Sequence, residues 1–260
     1  MKRIDLNCDM GESFGAYRLG RDEEVIQFIT SANIACGFHA GDPMVLSRTV
    51  ALAAARNVGV GAHPGFPDLK GFGRRSMDCT PEEITADIVY QIGAIQAFCA
   101  AHQVRLQHVK PHGALYNMAV GNEPLARAVA RAVAAVDPSL LLVTLAGSEA
   151  EMMARIGREE GVRVVFEAFP DRAYTPDGRL VSRRLPGAVI TDAALAAERA
   201  VRMVTEGRIV ASDGSVLEME IDTLCVHGDT PTALALVQEI RGGLEKAGVA
   251  LAPMGADGAP

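Results

Sequence analysis

The feature that most constrains the fold is an alternation of seven short apolar segments with seven longer segments of helical periodicity. The predicted strands cover residues 3–6, 32–35, 58–62, 106–109, 140–145, 162–166 and 223–226. The predicted helices lie near 22–29, 44–56, 81–102, 123–135, 148–159, 192–206 and 231–247. Because parallel strands need a crossover between them, usually a helix, this order predicts a parallel sheet. No dinucleotide fingerprint follows a strand, so we expect an α/β fold in which seven parallel strands close into a β/α barrel, with an open doubly wound sheet as the alternative.

The sequence predicts a single domain. Its 260 residues contain no Gly/Ser-rich linker and no shift in composition that would divide them. We expect one barrel domain over residues 1–250 and a flexible C-terminal tail over 251–260. Residues 171–187 are rich in arginine and turn-forming residues, and a loop of that length on a compact domain is often functional.

Three helix starts are predicted from their capping residues. Asp42 and Thr230 each precede a proline, which is the order of a capping residue followed by a first-turn proline. Thr80 and Glu83 have the spacing of a capping box, in which each side chain bonds the other residue's backbone N–H.

Charge and cysteine content exclude several classes of partner. The formal net charge is −7, which argues against nucleic acid or an anionic membrane as the main partner. We see no uninterrupted apolar run of membrane length and no secretory signal at the N-terminus. The five cysteines are an odd number without a CxxC pair, so we expect reduced thiols and a cytoplasmic protein.

Polar side chains capable of chemistry collect where the predicted strands end. The C-terminal ends of parallel strands share one face of such folds, and active sites form on that face. Five of the six histidines lie at or near strand ends. The candidates at these ends and in the loops after them are Asn7, Asp9, Asn33, His39, His63, Arg74, Arg75, Lys110, His112, Glu167, Arg172, His227 and Asp229. We therefore predict an active site on this face.

The histidines are the strongest candidates. FHAGDP at 38–43 and VHGDTP at 226–231 both place His, Gly and Asp between a strand and a helix that begins with proline. Turning and capping explain the glycine and the aspartate, but neither needs an imidazole. At neutral pH an imidazole can act as a base, an acid or a metal ligand. An aspartate from the first strand could join later histidines around a divalent metal, although the non-local spacing makes that signal weak.

Lys110 and the arginines suit an anionic substrate. Lys110 directly follows an apolar strand, so we expect it at the barrel rim or inside it, where burial would lower its pKa. There it could orient an anion, polarise a carbonyl or carry a proton; the alternative is a surface lysine with a buried stem. Arg74, Arg75 and Arg172 suit a carboxylate or phosphate, with a solvated charge as the alternative. The chain contains neither a P-loop nor a GxGxxG motif, so no common nucleotide cradle is visible.

The chain resembles the LamB/YcsF family in six strings that span nearly its whole length. They are DLNCDMGESFG (5–15), SANIACGFHAGDP (31–43), GAHPGFPDLKGFGRR (61–75), HVKPHGALYN (108–117), DRAY (171–174) with the downstream GRLV (178–181), and CVHGD (225–229). Met10, Ala168 and Pro170 depart from the pattern we expect of the family, but none of these departures removes a polar group. The strings are long and specific.

The resemblance implies a fold and a function. The implied fold is a seven-stranded β/α barrel similar to the glycoside hydrolase/deacetylase superfamily. The implied function is that of one subunit in an ATP-dependent 5-oxoprolinase. This enzyme opens 5-oxo-L-proline (pyroglutamate) to L-glutamate with hydrolysis of ATP to ADP and phosphate. The expected partners are subunits B and C, which would handle most of the ATP chemistry.

The resemblance also suggests roles for the candidate residues. His39, His63, His112 or His227 would move protons to or from water and the leaving nitrogen, oriented by Asp9 and Asp229, which could also hold a metal. Lys110 would stabilise the developing oxyanion. The expected substrate-binding residues are Asn7, Asn33, Arg74, Arg75, Glu167 and Arg172. Two alternatives stay open: a stand-alone metal-dependent deacetylase or amidohydrolase, and a non-catalytic scaffold that binds the lactam.

Overall fold

The computed structural model describes residues 2–226 and 232–255. In chain order, its elements are β1 (Arg3–Met10), α1 (Asp22–Val25), β2 (Ser31–Ala35), α2 (Pro43–Ala55), β3 (Gly59–His63), α3 (Pro81–Ala101), β4 (Leu106–Val109), α4 (Gly113–Ala119), α5 (Glu123–Val136), β5 (Leu141–Leu145), α6 (Ala150–Glu160), β6 (Arg163–Ala168), α7 (Ala193–Glu206), β7 (Arg208–Val210), β8 (Val216–Glu218), β9 (Thr223–Val226), α8 (Ala233–Lys246) and β10 (Ala250–Leu251).

Seven parallel strands close into a barrel. The strand order is β1-β2-β3-β4-β5-β6-β9, and β9 also pairs with β1. Strand β1 makes both closing contacts: Asn7 lies opposite Ser31 of β2 and also opposite Cys225 of β9. The predicted single-domain, seven-stranded parallel barrel is confirmed, and the open sheet is excluded. All seven predicted strands belong to the barrel.

Alternation along β1 separates the two faces of the barrel wall. Ile4, Leu6, Cys8 and Met10 belong to the apolar core beneath the helices. The residues between them are polar, and their side chains bond to other strands from inside the barrel. Successive side chains of a strand point to opposite faces. The interior of this barrel is therefore polar toward its C-terminal end.

Helix α3 shows how the outer layer is held. It packs against α2 and α5 and over β3 and β4, and it buries Ile84, Ile88, Ile92 and Ile95. Within the described residues it is the one helix long and apolar enough to cross a membrane by length and composition. Its burial of one apolar face against the barrel is what an outer helix of this fold requires.

Three short features were not predicted from the sequence. Helix α4 follows the HVKPHG segment and has only seven residues, and β7 and β8 form a separate antiparallel hairpin of three-residue strands. Strand β10 pairs with Arg3 and Ile4. Elements this short contain too few residues to show a periodic pattern of apolar side chains. The boundary predicted at residue 250 stays a prediction; within 251–255, Met254 is buried and its carbonyl accepts a hydrogen bond from Gln107.

Two of the predicted helix starts are confirmed. Asp42 caps α2 by accepting hydrogen bonds from the backbone N–H groups of Met44 and Val45. Thr80 and Glu83 form a complete capping box at the start of α3. The third predicted cap, Thr230, lies outside the described residues.

Candidate active site

A cavity of about 600 Å³ lies at the C-terminal ends of the barrel strands. The loops after β3, β4 and β6 form its walls, and the barrel interior forms its floor. The charged residues and histidines that line it are Asp9, His63, Arg74, Lys110, His112, Arg172, Arg179, Arg183 and Arg184. Asp9 is the only carboxylate among the described residues of this lining, so the cavity is strongly cationic and suits an anionic ligand.

Lys110 lies at the centre of the floor between two carboxylates. Its Nζ is 2.9 Å from Asp9 Oδ1 and 2.9 Å from Glu167 Oε1. Burial acts to lower the pKa of Lys110, but the negative charges of Asp9 and Glu167 outweigh it and hold that pKa well above its ordinary value. The lowered pKa expected from burial is therefore wrong, and Lys110 is a cation at neutral pH.

Hydrogen bonds hold the carboxylates on either side of Lys110 in place. Glu167 accepts from Asn7 Nδ2 and from the Tyr116 hydroxyl, each at 2.9 Å. Asp9 accepts from Asn33 Nδ2 at 2.8 Å. Burial raises the pKa of Tyr116 well above its ordinary value, and the charge of Glu167 adds to this, so the phenol keeps the proton it donates. The floor is a connected network with charge fixed at defined atoms.

Two histidines meet beside Asp9. His63 Nε2 is 3.3 Å from Asp9 Oδ2 and 2.9 Å from His112 Nδ1. The other ring nitrogen of His63 lies 2.6 Å from the carbonyl oxygen of Lys110, and that of His112 lies 2.9 Å from the carbonyl oxygen of Phe72. Burial, reinforced by the neighbouring His63, lowers the pKa of His112 to about 3, so its ring is neutral at physiological pH.

His39 lies behind these two rings. Its ring is stacked on that of His112, with the centroids 3.7 Å apart. It is fully buried, and within the described part of the chain neither of its ring nitrogens has a hydrogen-bond partner. Burial, with the nearby His112 and His63, holds the pKa of His39 well below its ordinary value. His39 is thus a neutral imidazole that does not line the cavity.

A tight loop after β3 presses against the histidines. Phe72 and Gly73 both have positive φ, at 56° and 61°. A Cβ atom on Gly73 would lie 2.8 Å from His39 Cβ and 2.9 Å from His112 Cδ2, which is too close for a side chain. A non-glycine residue with positive φ is uncommon, and such strain clusters at functional sites. The GFGRR string therefore shapes this loop against His112.

The predicted arginines separate into different environments. The Arg74 guanidinium lies over the Phe72 ring at the cavity wall. Arg172 donates to the carbonyl oxygens of Val181 and Ala188, so it also ties down the loop over 171–187. Arg75 forms an ion pair with Asp68 and is not among the residues that line the cavity.

A cluster beside the cavity has the composition of a metal site. Glu12, His39, His63 and His112 are all buried, and each offers one ligand atom within 4.8 Å of the others. Imidazole nitrogens and a carboxylate oxygen are suitable ligands for a divalent transition metal.

The structure brings together most of the predicted site. Asp9, Lys110, Glu167, Asn7 and Asn33 form the floor; His63 and His112 flank it, with His39 behind them. His227 and Asp229 lie outside the described residues. The catalytic and binding roles assigned to all these residues stay predictions.

Several residues of the site were not among the predicted candidates. Tyr116, Phe169, Arg179, Arg183 and Arg184 line the cavity, and Thr223 bonds Asn7 on the floor. A polar residue at every second position of an otherwise apolar strand was the signal for the floor. The three arginines carried a signal too, since all of them lie within the arginine-rich segment 171–187.

The fold and the site define a class: a β/α-barrel protein with a buried ionic and histidine centre at the end of the barrel where such folds place active sites. Within that class, the chain belongs to the LamB/YcsF family, whose model matches residues 4–258.

Known relatives match nearly the full length of the chain. It is 58% identical over 255 residues to the A subunit of 5-oxoprolinase from Natranaerobius thermophilus, covering 98% of each protein. It is 56% identical to the A subunit of the Pyrococcus furiosus 5-oxoprolinase, covering 97% of this chain and 98% of the relative. A solved structure, the lactam utilization protein from Thermus thermophilus, superposes with a TM-score of 0.91 at 50% identity, covering 97% of this chain and 100% of that one.

Proposed function

We propose that this chain is the A subunit of an ATP-dependent 5-oxoprolinase and carries the site at which 5-oxo-L-proline is opened to L-glutamate. Full-length relatives that bear this name support the assignment, as does the lactam utilization protein of the same fold. The proposed partners are subunits B and C, the proposed cofactor is ATP handled mainly by those partners, and the proposed location is the cytoplasm.

One observation carries the proposal: a protonated Lys110, fixed between Asp9 and Glu167, forms the floor of a cationic cavity. The substrate is a carboxylate that also contains a lactam carbonyl. Arginines of the wall match the carboxylate, and the ammonium on the floor matches an oxygen that gains negative charge during the reaction. The cavity is also large enough for a phosphorylated form of the substrate.

The lactam needs activation because an unstrained amide is a poor electrophile. Transfer of the ATP γ-phosphoryl group to the amide oxygen gives an imidate phosphate and ADP. Water adds to its carbon, and the C–N bond breaks as the nitrogen takes a proton, which leaves an acyl phosphate. A second water releases phosphate and gives glutamate. We assign the steps after phosphorylation to this chain.

Residues of the floor supply what the hydrolytic steps need. The pair of Asp9 and His63 lies at the cavity surface and accepts the proton of the attacking water, then returns a proton to the ring nitrogen. Lys110 stabilises the oxyanion of the tetrahedral species. Arg74, Arg172 and the arginines of the 171–187 loop hold the carboxylate and phosphate, while Asn7, Asn33 and Glu167 keep Asp9 and Lys110 in position.

The histidine cluster favours one alternative, a stand-alone metal-dependent deacetylase or amidohydrolase. The two functions differ in their need for ATP. Turnover of 5-oxoproline or of an acetylated substrate by the purified chain without ATP would support the alternative. A non-catalytic scaffold, in contrast, predicts that substitutions in the cavity leave turnover of the complex intact.

The decisive experiment is an ATP-dependent 5-oxoproline assay in which each of the three subunits is omitted in turn. We expect glutamate formation to stop when this chain is omitted, while hydrolysis of ATP by the other two subunits persists. Full glutamate formation without this chain would overturn the proposal.

A further inference from the structure

His63 Nε2 and His112 Nδ1 lie within hydrogen-bond distance of each other, although neither nitrogen has an evident proton to donate. The far nitrogen of each ring lies within hydrogen-bond distance of a backbone carbonyl, that of Lys110 for His63 and that of Phe72 for His112. A carbonyl oxygen can only accept, so each far nitrogen carries the proton. A ring with its one proton on the far nitrogen has a lone pair on the near nitrogen, so two lone pairs would face each other across 2.9 Å.

Two facing lone pairs repel unless something positive lies between or beside them. One proton shared by the two nitrogens would remove the repulsion. It would not satisfy His39, whose two buried ring nitrogens have no partner within the described residues. A dication, in contrast, would also attract the Glu12 carboxylate, one oxygen of which lies within 4.8 Å of the histidine nitrogens.

A dication satisfies all of these groups at once. We propose that Glu12, His39, His63 and His112 bind one divalent first-row transition metal, with Zn²⁺ as its representative. In a tetrahedral zinc site, two nitrogens about 2.1 Å from the metal are about 3.4 Å apart, so the two facing nitrogens, which are 2.9 Å apart, need to separate by only about 0.5 Å. Three imidazoles and one carboxylate favour zinc or its neighbours over Mg²⁺ and Ca²⁺, which take oxygen ligands.

The surrounding structure supports this assignment. Metal-binding histidines commonly donate the other ring N–H to a carbonyl or carboxylate, which fixes the tautomer and the ring orientation. Lys110 and Phe72 provide such carbonyls, and the positive φ of Phe72 places its carbonyl within a strained turn. The inference does not rest on the lactam chemistry. A bound metal would supply a Lewis acid beside the cavity. Since His63 could not then accept a proton, Asp9 alone would take the proton of water that is assigned above to the pair of Asp9 and His63.

The test measures metal binding directly. The purified chain is stripped with a chelator, then titrated calorimetrically with Zn²⁺ and, separately, with Mg²⁺. We expect one equivalent of Zn²⁺ and no saturable binding of Mg²⁺. The substitutions H63Q and H112Q should each weaken zinc binding by more than about 100-fold, since loss of an outer partner alone costs about 10- to 100-fold. The matched control is H102Q at the end of α3, where the ring bonds Ser47; it should bind zinc as the wild type does.

A second measurement uses only the wild-type chain. An anomalous difference map of zinc-soaked crystals should show a peak within bonding distance of His63 Nε2 and His112 Nδ1. Failure of the wild type to bind zinc, an affinity that neither substitution changes, or a peak located elsewhere would each overturn the proposal. The first of these results would leave a shared proton as the bridge between the rings.

Discussion

Replacing Lys110 by methionine is the sharpest perturbation of the proposed chemistry, because stability and catalysis should respond to it differently. Methionine has a similar length and no charge. The change removes the ammonium that lies 2.9 Å from both Asp9 and Glu167 and leaves the fully buried Glu167 without its counter-ion. Breaking a buried ion pair by removing one partner typically costs about 3–5 kcal/mol. We expect a loss of this size in the free energy of unfolding, measured with urea.

A second substitution separates the two effects. In the double variant K110M/E167Q, the unpaired carboxylate becomes a neutral amide. Its oxygen can take the place of Oε1 and accept from Asn7, and its NH2 group can donate to the Tyr116 hydroxyl, which accepts once it has rotated. Much of the lost stability should therefore return. Glutamate production by the three-subunit complex should not return, because loss of an oxyanion-stabilising group costs about 10² to 10³ in kcat.

The comparison gives a clear refutation. Both variants are assayed for ATP-coupled glutamate release at matched folded fractions, checked by circular dichroism. If K110M keeps wild-type turnover, or if the double variant regains activity together with stability, Lys110 serves only as a structural counter-ion. The assignment of the lactam site to this floor would then be wrong.

Three further outcomes follow from the same network. Burial raises the pKa of Asp5 to about 6, so the stability that its protonated carboxyl contributes is present below about pH 4 and is lost as the pH rises through 6. Over that window the free energy of unfolding in urea should fall for the wild type relative to D5N, by up to about 3 kcal/mol. Y116F should cost about 1–3 kcal/mol in the same measurement, because Glu167 loses a buried donor. R74A should raise KM for the substrate by roughly tenfold or more, since Arg74 lines the cavity. R75A should change KM by less than about twofold, because Arg75 does not line the cavity.

The barrel could be predicted from the sequence because its signal is repeated along the chain. Each strand is a short apolar run, and each is followed by a helix that must cover the sheet. The connection from β6 to β9 is the exception, since it contains the 171–187 loop, α7 and the β7–β8 hairpin. Hairpin strands of three residues carry almost no periodicity, so this part could not be derived.

The candidate site could be predicted only as a set of residues. The position of Lys110 after an apolar strand predicted a lysine at the barrel rim or inside it, with a pKa lowered by burial. The pKa is raised instead, because its two carboxylate partners come from strands far away in the sequence, which the local pattern does not show. Arg75 follows Arg74 and shares its composition, yet it pairs with Asp68 while Arg74 faces the cavity. Phe72 and Gly73, just before these two arginines, both have positive φ. A positive φ can be anticipated from the sequence at the glycine but not at the phenylalanine, so the direction of each arginine could not be predicted.

The polarity of the barrel interior is the clearest argument for function. Branched apolar side chains usually fill the interior of such a barrel. Here Asp5, Asn7 and Asp9 occupy successive inward positions of β1 and bond to other strands. Well-packed apolar residues would often be as stable as a buried ion pair, or more so. Stability of the barrel therefore does not explain these residues. A role in catalysis explains them, because dipoles and ions that are already in place need no reorganisation when charge develops in a reaction. Asp9, with a side chain that is 13% exposed, connects this buried network to the cavity.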